Sequence, residues 1–189
     1  MKYIFDFDDV LFLNTAKFKK HMYTCIEKAG VSHEVALKYY NEVRDKGFSM
    51  RDFVNAIYKN EKDIKISEEE LYKEIMHEIK NFINQDLLNL IKGIGKENCY
   101  IVTHGKEEYQ LEKIDRTSIA PLFCEIIVVQ DSKKQSIENI CAKNNTEKVV
   151  FVDDKEKRFK DLDFEKFPNL KTILYTGQDI ETLRREINS

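Results

Sequence analysis

Chain breakers are scarce here: six glycines and two prolines in 189 residues mean that most of the chain must lie in regular elements joined by short connections. Cysteine is sparse too. Cys25, Cys99, Cys124 and Cys141 are widely separated and form no C-x-x-C pair, which excludes a zinc knuckle and a dithiol redox motif and leaves reduced thiols. No apolar run approaches a membrane span, and MKYIFDFDDVLF lacks the long apolar stretch and small-residue cleavage site of a secretory leader. The expectation is a soluble, cytoplasmic protein with no membrane partner. Neither sign of charge dominates, since 31 Lys and Arg against 34 Asp and Glu leave a net charge of -3. That offers no electrostatic footprint for nucleic acid, so any basic patch must be local.

Apolar residues at 42% and charged residues at 34% suit about one domain with a real core, a charged surface and room for an insertion. Five short apolar, β-branched or aromatic runs, at 2–5, 99–102, 126–129, 149–152 and 172–175, are strand length and bounded by polar residues. They do not alternate with polar positions, as expected of parallel strands covered on both faces. Helical patterns at 106–116, 133–143 and 179–187 follow the second, third and fifth runs. The expected fold class is therefore α/β, with a doubly wound, Rossmann-like parallel sheet. Residues 15–92 break the rhythm and read almost entirely as amphipathic helix, with Ser32, Ser49 and Ser67 as N-caps and Ser67 with Glu70 as a capping box. A βα crossover needs far fewer residues, so 15–92 is expected to be an inserted helical cap and 1–14 with 93–189 the core.

Ligands of open α/β sheets bind beyond the carboxyl ends of the strands, and the residues there form a pattern. Asp6, Asp8 and Asp9 follow the first run; Thr103, His104 and Gly105 the second; Asp131, Lys133 and Lys134 the third; Asp153 and Asp154 the fourth. Clustered carboxylates repel one another unless a hard cation neutralises them, and an all-oxygen donor set suits Mg²⁺ with a substrate phosphate completing its coordination. One carboxylate could then attack phosphorus while another protonates the leaving oxygen.

Asp6-Phe7-Asp8-Asp9-Val10-Leu11 after an apolar strand resembles the first motif of the haloacid dehalogenase-like (HAD) superfamily. Thr103 ending YIVT resembles the second motif, the lysine opening the helix after strand three the third, and FVDD the fourth. The stretch from Val102 to Val129 also resembles capped members, with Gln110, Lys113 and Phe123 at familiar places. This resemblance implies that Asp6 is the nucleophile and Asp8 the general acid and then base. It implies that Asp6 by a carboxylate oxygen, Asp8 by its backbone carbonyl and Asp154 directly bind Mg²⁺, with Asp153 helping from behind or through water. Thr103 and the amides of His104 and Gly105 would hold the phosphoryl group.

The acid at Asp8 accompanies phosphoryl transfer in this family and is missing from its carbon–halogen hydrolases. The implied activity is a phosphatase acting on a small phosphorylated metabolite, as a monomer or small homo-oligomer. A phosphomutase or phosphotransferase, or a non-catalytic sensor of a phosphorylated ligand, are the alternatives. Asp9 departs from the glycine common at its position, and no acidic residue stands four places beyond Asp154. His104 reads as a bystander, because acid and base are already assigned. Of the two lysines, Ser132 with Gln135 reads as a capping box that puts Lys133 at the first helical position. The inward face marked by Ile137, Ile140 and Cys141 lies roughly 33° from Lys133 and roughly 67° from Lys134, which favours Lys133.

Overall fold

The computed structural model describes residues 1–188. Five parallel strands, β1 (Lys2–Phe5), β2 (Cys99–His104), β3 (Glu125–Val129), β4 (Val149–Asp153) and β5 (Leu170–Leu174), form one sheet in the order β3-β2-β1-β4-β5. The chain winds outward from β1 in both directions, so the sheet is doubly wound and its switch point lies at β1. Register sets the strand ends level: Phe5 pairs with Ile101 on one side and with Val152 on the other.

Successive strand residues serve opposite faces. Phe5, Ile101, Val150 and Val152 join a core with helices α5 (Gln85–Ile94), α6 (Glu107–Thr117) and α8 (Ile180–Asn188), through Leu87, Ile91, Ile114 and Leu183. Ile4, Val102, Val149 and Phe151 join a second core with Ile137, Ile140 and Cys141 of α7 (Lys134–Lys143). Burial on both sides explains why these strands read as unbroken apolar runs.

Between β1 and α5 lie a π-helical turn at Asn14–Phe18 and helices α1 (Lys19–Lys28), α2 (His33–Arg44), α3 (Met50–Asn60) and α4 (Glu68–His77). Ser32, Ser49 and Ser67 do cap α2, α3 and α4, and Ser67 with Glu70 makes the full reciprocal box. Each helix packs on the next and α4 returns to α1, while α5 packs on α8 against the sheet. The apolar side chains of the insertion, among them Phe53 against Tyr40 and Phe48, run without a break into the core on that face of the sheet. Among the described residues, no helix is long and apolar enough to cross a membrane.

One local expectation is corrected. Lys133 is the N-cap residue of α7 and not its first helical residue, and no capping box forms. The Ser132 hydroxyl accepts only from the Lys134 amide at 3.1 Å, and the Gln135 side chain turns down the helix to Asn139.

Candidate active site

The turn after β1 is tight. Phe7 O accepts from the amides of Leu11 and Phe12, and Asp9 adopts a left-handed φ of 62°. An aspartate tolerates that region better than most residues, because its short side chain can bond locally. Here the Asp9 carboxylate accepts from the amide of Thr15 at 2.6 Å and from its hydroxyl at 2.7 Å, tying the turn to the start of the insertion.

Asp6 is buried at the switch point. Its Oδ1 accepts from the Phe7 amide at 2.7 Å and lies 2.9 Å from Lys133 Nζ, which leaves Oδ2 without a protein partner among the described residues. Burial pushes the Asp6 carboxyl up to about 6; Lys133 pulls against that and Asp153 adds to it. Lys133 is 1% exposed and shared, donating to Asp153 Oδ2 at 2.6 Å as well. Lys134 points elsewhere, half-exposed and 3.7 Å from Glu138. Of the two lysines, only Lys133 meets Asp6 and Asp153.

Asp153 is fully buried with both oxygens engaged, since its Oδ1 accepts from the Lys155 amide at 2.9 Å. Asp154 is half-buried and pairs with Lys155 Nζ at 3.1 Å. Burial raises its carboxyl above the ordinary range. Asp6, Asp153 and Asp154 can each bring one oxygen to within 4.8 Å of the others. An all-carboxylate group of this size fits a hard divalent cation. Both Asp153 oxygens are taken, whereas Asp6 and Asp154 each keep one oxygen without a protein partner among the described residues, so these two would face an ion directly.

Asp8 turns its carboxylate the other way. Lys113 Nζ donates to its Oδ1 at 2.5 Å and Gln110 Nε2 to its Oδ2 at 2.8 Å. Any contribution of Asp8 to an ion is thereby confined to its main-chain carbonyl. Thr103, 1% exposed at the end of β2, has a hydroxyl with no partner, as does Gln110 Oε1. An unfilled buried hydroxyl costs about 1–3 kcal/mol, so it points to a ligand that completes it.

No protein-family model matches the sequence, and no curated protein matches it. Solved structures do. A hydrolase from Streptococcus pneumoniae TIGR4 superposes with a TM-score of 0.57 at 18% identity, over 100% of this chain and 98% of that one. A haloacid dehalogenase-like protein from Burkholderia xenovorans LB400 gives 0.67 at 15% identity, over 99% and 87%. The L-2-haloacid dehalogenase of Xanthobacter autotrophicus gives 0.53 at 13% identity, over 100% and 82%.

The chain has the haloacid dehalogenase-like fold. Within this HAD fold, Asp6, Asp8, Thr103, His104, Gly105, Lys133, Asp153 and Asp154 all stand at the carboxyl ends of strands or just beyond them. Gly105 requires a correction. Its amide donates to Val129 O at 2.9 Å and so is not free to hold a phosphoryl group. What Gly105 supplies is space: at φ 152° a Cβ would lie 2.7 Å from Gln110 Nε2, the atom that holds Asp8.

His104 lines the cavity above the site, and burial, followed by the charge of Arg158, holds its imidazole below the ordinary range. It therefore stands neutral at neutral pH. Gln110 and Lys113 carry more of the site than their sequence context assigns them. Both are polar residues on the buried face of α6, beside Tyr109 and Ile114, and that misplaced polarity was the available signal. The cavity holds about 740 Å³ between the strand ends and the insertion.

Proposed function

We propose that the protein is a magnesium-dependent phosphatase that hydrolyses a small phosphorylated metabolite through an aspartyl phosphate. The observation that carries this reading is Asp8, held by Lys113 and Gln110 in the same cavity as Asp6. A halide leaves as a stable anion and needs no proton, whereas the alkoxide of a phosphate ester does. A second carboxylate fixed in that cavity is thus useful to phosphoryl transfer and superfluous to dehalogenation.

In the first half-reaction Asp6, oriented by Phe7 and Lys133 on Oδ1, attacks phosphorus through a carboxylate oxygen, and the bond from phosphorus to the ester oxygen breaks. Asp8 enters this step as the acid, hands its proton to the departing ester oxygen as the bond to phosphorus breaks, and is left as the carboxylate that Lys113 and Gln110 hold. Thr103 and Lys133 steady the phosphoryl oxygens. In the second half-reaction Asp8 takes a proton from water as that water attacks phosphorus. Cleavage of the acyl phosphate returns the Asp6 carboxylate and inorganic phosphate. Asp6, Asp154 and the Asp8 carbonyl, with Asp153 behind them, would hold Mg²⁺, which would supply positive charge against the transferring group. The helices between β1 and α5 serve as a cap that excludes water from the first step and selects the leaving group.

The test is phosphate release from a panel of metabolite phosphate esters, with Mg²⁺ and with excess chelator, alongside halide release from 2-haloacids. Metal-dependent phosphate release that Asp6→Asn abolishes is the expected result. Halide release in its place, or transfer to an added sugar phosphate with no inorganic phosphate formed, overturns the reading.

A further inference from the structure

The cavity is strongly cationic in a chain that is not. Eight of its lining residues are Lys or Arg and four are Asp, against a net charge of -3 for the whole sequence. Lys113, Lys155 and Lys106 answer to Asp8, Asp154 and Asp52, and a single phosphoryl group, met by Lys133 and Thr103, leaves Lys19, Arg44, Lys46, Lys157 and Arg158 without a purpose. Three of them come from the insertion: Lys19 opens α1, Arg44 closes α2, and Lys46 follows it.

Lys19 and Arg44 converge on one residue. Lys19 Nζ stands 5.1 Å from the centroid of the Tyr40 ring and Arg44 Cζ 6.0 Å from the same centroid. The ring attracts both charges but accepts no ordinary hydrogen bond from either. Among the described residues, no carboxylate pairs with Lys19 or Lys46, and Arg44 has one exposed contact, with its neighbour Asp45 at 3.5 Å. Like charges lining one cavity repel each other, and an anion among them relieves that repulsion. Phe18, Met22 and Phe48 line the same part of the cavity and offer an apolar surface to whatever carries the anion.

We infer that Lys19, Arg44 and Lys46 form a second anion subsite, so that the substrate is a phosphate monoester whose leaving group bears a further acidic group, a carboxylate or a second phosphate. The position of the first phosphate rests on the phosphatase reading above. The cavity then selects by charge at both ends: the strand ends take the group that is transferred, and the insertion takes the group that stays with the leaving alcohol.

The experiment compares matched esters on the purified full chain: glycerol phosphate against phosphoglycerate, and glucose phosphate against glucose bisphosphate. The first pair adds a carboxylate and the second a phosphate, so the two arms identify which acid the subsite prefers. Wild type should favour the acidic member of at least one pair by about ten-fold or more in kcat/KM, mostly through KM. The Lys19→Gln/Arg44→Gln double variant should bring that ratio close to one while keeping the wild-type melting temperature, since both side chains are partly exposed. Equal turnover within both pairs, or an unchanged ratio in the double variant, overturns the subsite. If no ester is hydrolysed, it is the phosphatase reading that fails, and calorimetric titration with the same pairs decides the subsite. Tighter binding of the acidic member, lost in the double variant, supports it; equal binding refutes it.

Discussion

Asp6 is the residue on which stability and chemistry conflict. Its carboxyl stands near 6 because burial outweighs the help of Lys133, while an unfolded chain holds an aspartate near about 4. With the folded pKa above the unfolded one, the group subtracts stability as pH rises from about 4 to about 6, and the penalty stays constant above that. Metal-free Asp6→Asn should therefore melt above wild type at neutral pH, by on the order of 1–3 kcal/mol, with the gap closing as the pH falls below about 6. Its turnover should fall by several orders of magnitude. Thermal melts across pH, together with phosphate release, check both halves. Lys133→Ala strands two buried carboxylates and should cost about 3–5 kcal/mol near neutral pH, whereas Lys134→Ala should cost less than about 1 kcal/mol. Equal losses in urea titrations would remove the distinction. Lys133 was readable from the helical angle even though the capping box behind it does not form, because both placements leave it nearer the buried face. The polarity of Gln110 and Lys113 on a buried helix face marks them in the sequence, but that Asp8 is what they hold does not show there, since the contacts join positions 102 and 105 residues apart.

At the scale of elements, local signals translate directly. Each strand is an apolar run that burial on two faces demands, and each of Ser32, Ser49 and Ser67 stands where a helix has orphan amides to satisfy. Ser67→Ala removes one half of a reciprocal box and should cost about 1 kcal/mol, with faster hydrogen exchange at the start of α4. Unchanged exchange there would show that the capping box does not hold that end. Pairings between elements are less visible in sequence. Residues 85–92 read as a continuation of the helical insertion because their periodicity matches its own; their packing partner, α8, lies at the other end of the chain. The cavity cations were hidden for a similar reason. Lys19, Arg44 and Arg158 sit in charged stretches that look like any solvated surface until the fold turns them toward one space.

Across the whole molecule, binding of the proposed ion would be linked to folding. A cation that binds Asp6 and Asp154 only in the folded state raises the melting temperature by mass action. Mg²⁺ should stabilise wild type in a concentration-dependent way, and Asp154→Asn should blunt that shift; an equal shift in the variant would place the ion elsewhere. The strand order has a consequence of another kind. β1 precedes every other element, yet it occupies the centre of the sheet, with Tyr3 paired to Cys99 on one side and to Val150 on the other. At about 5–20 residues per second of synthesis, the central strand waits roughly 7–30 s between its own emergence and that of β4. During that interval the insertion can assemble from short-range contacts, but the sheet cannot close. A nascent chain stalled before β4 thus presents one bare side of its central strand, and that unpaired edge is a template on which a second copy can pair.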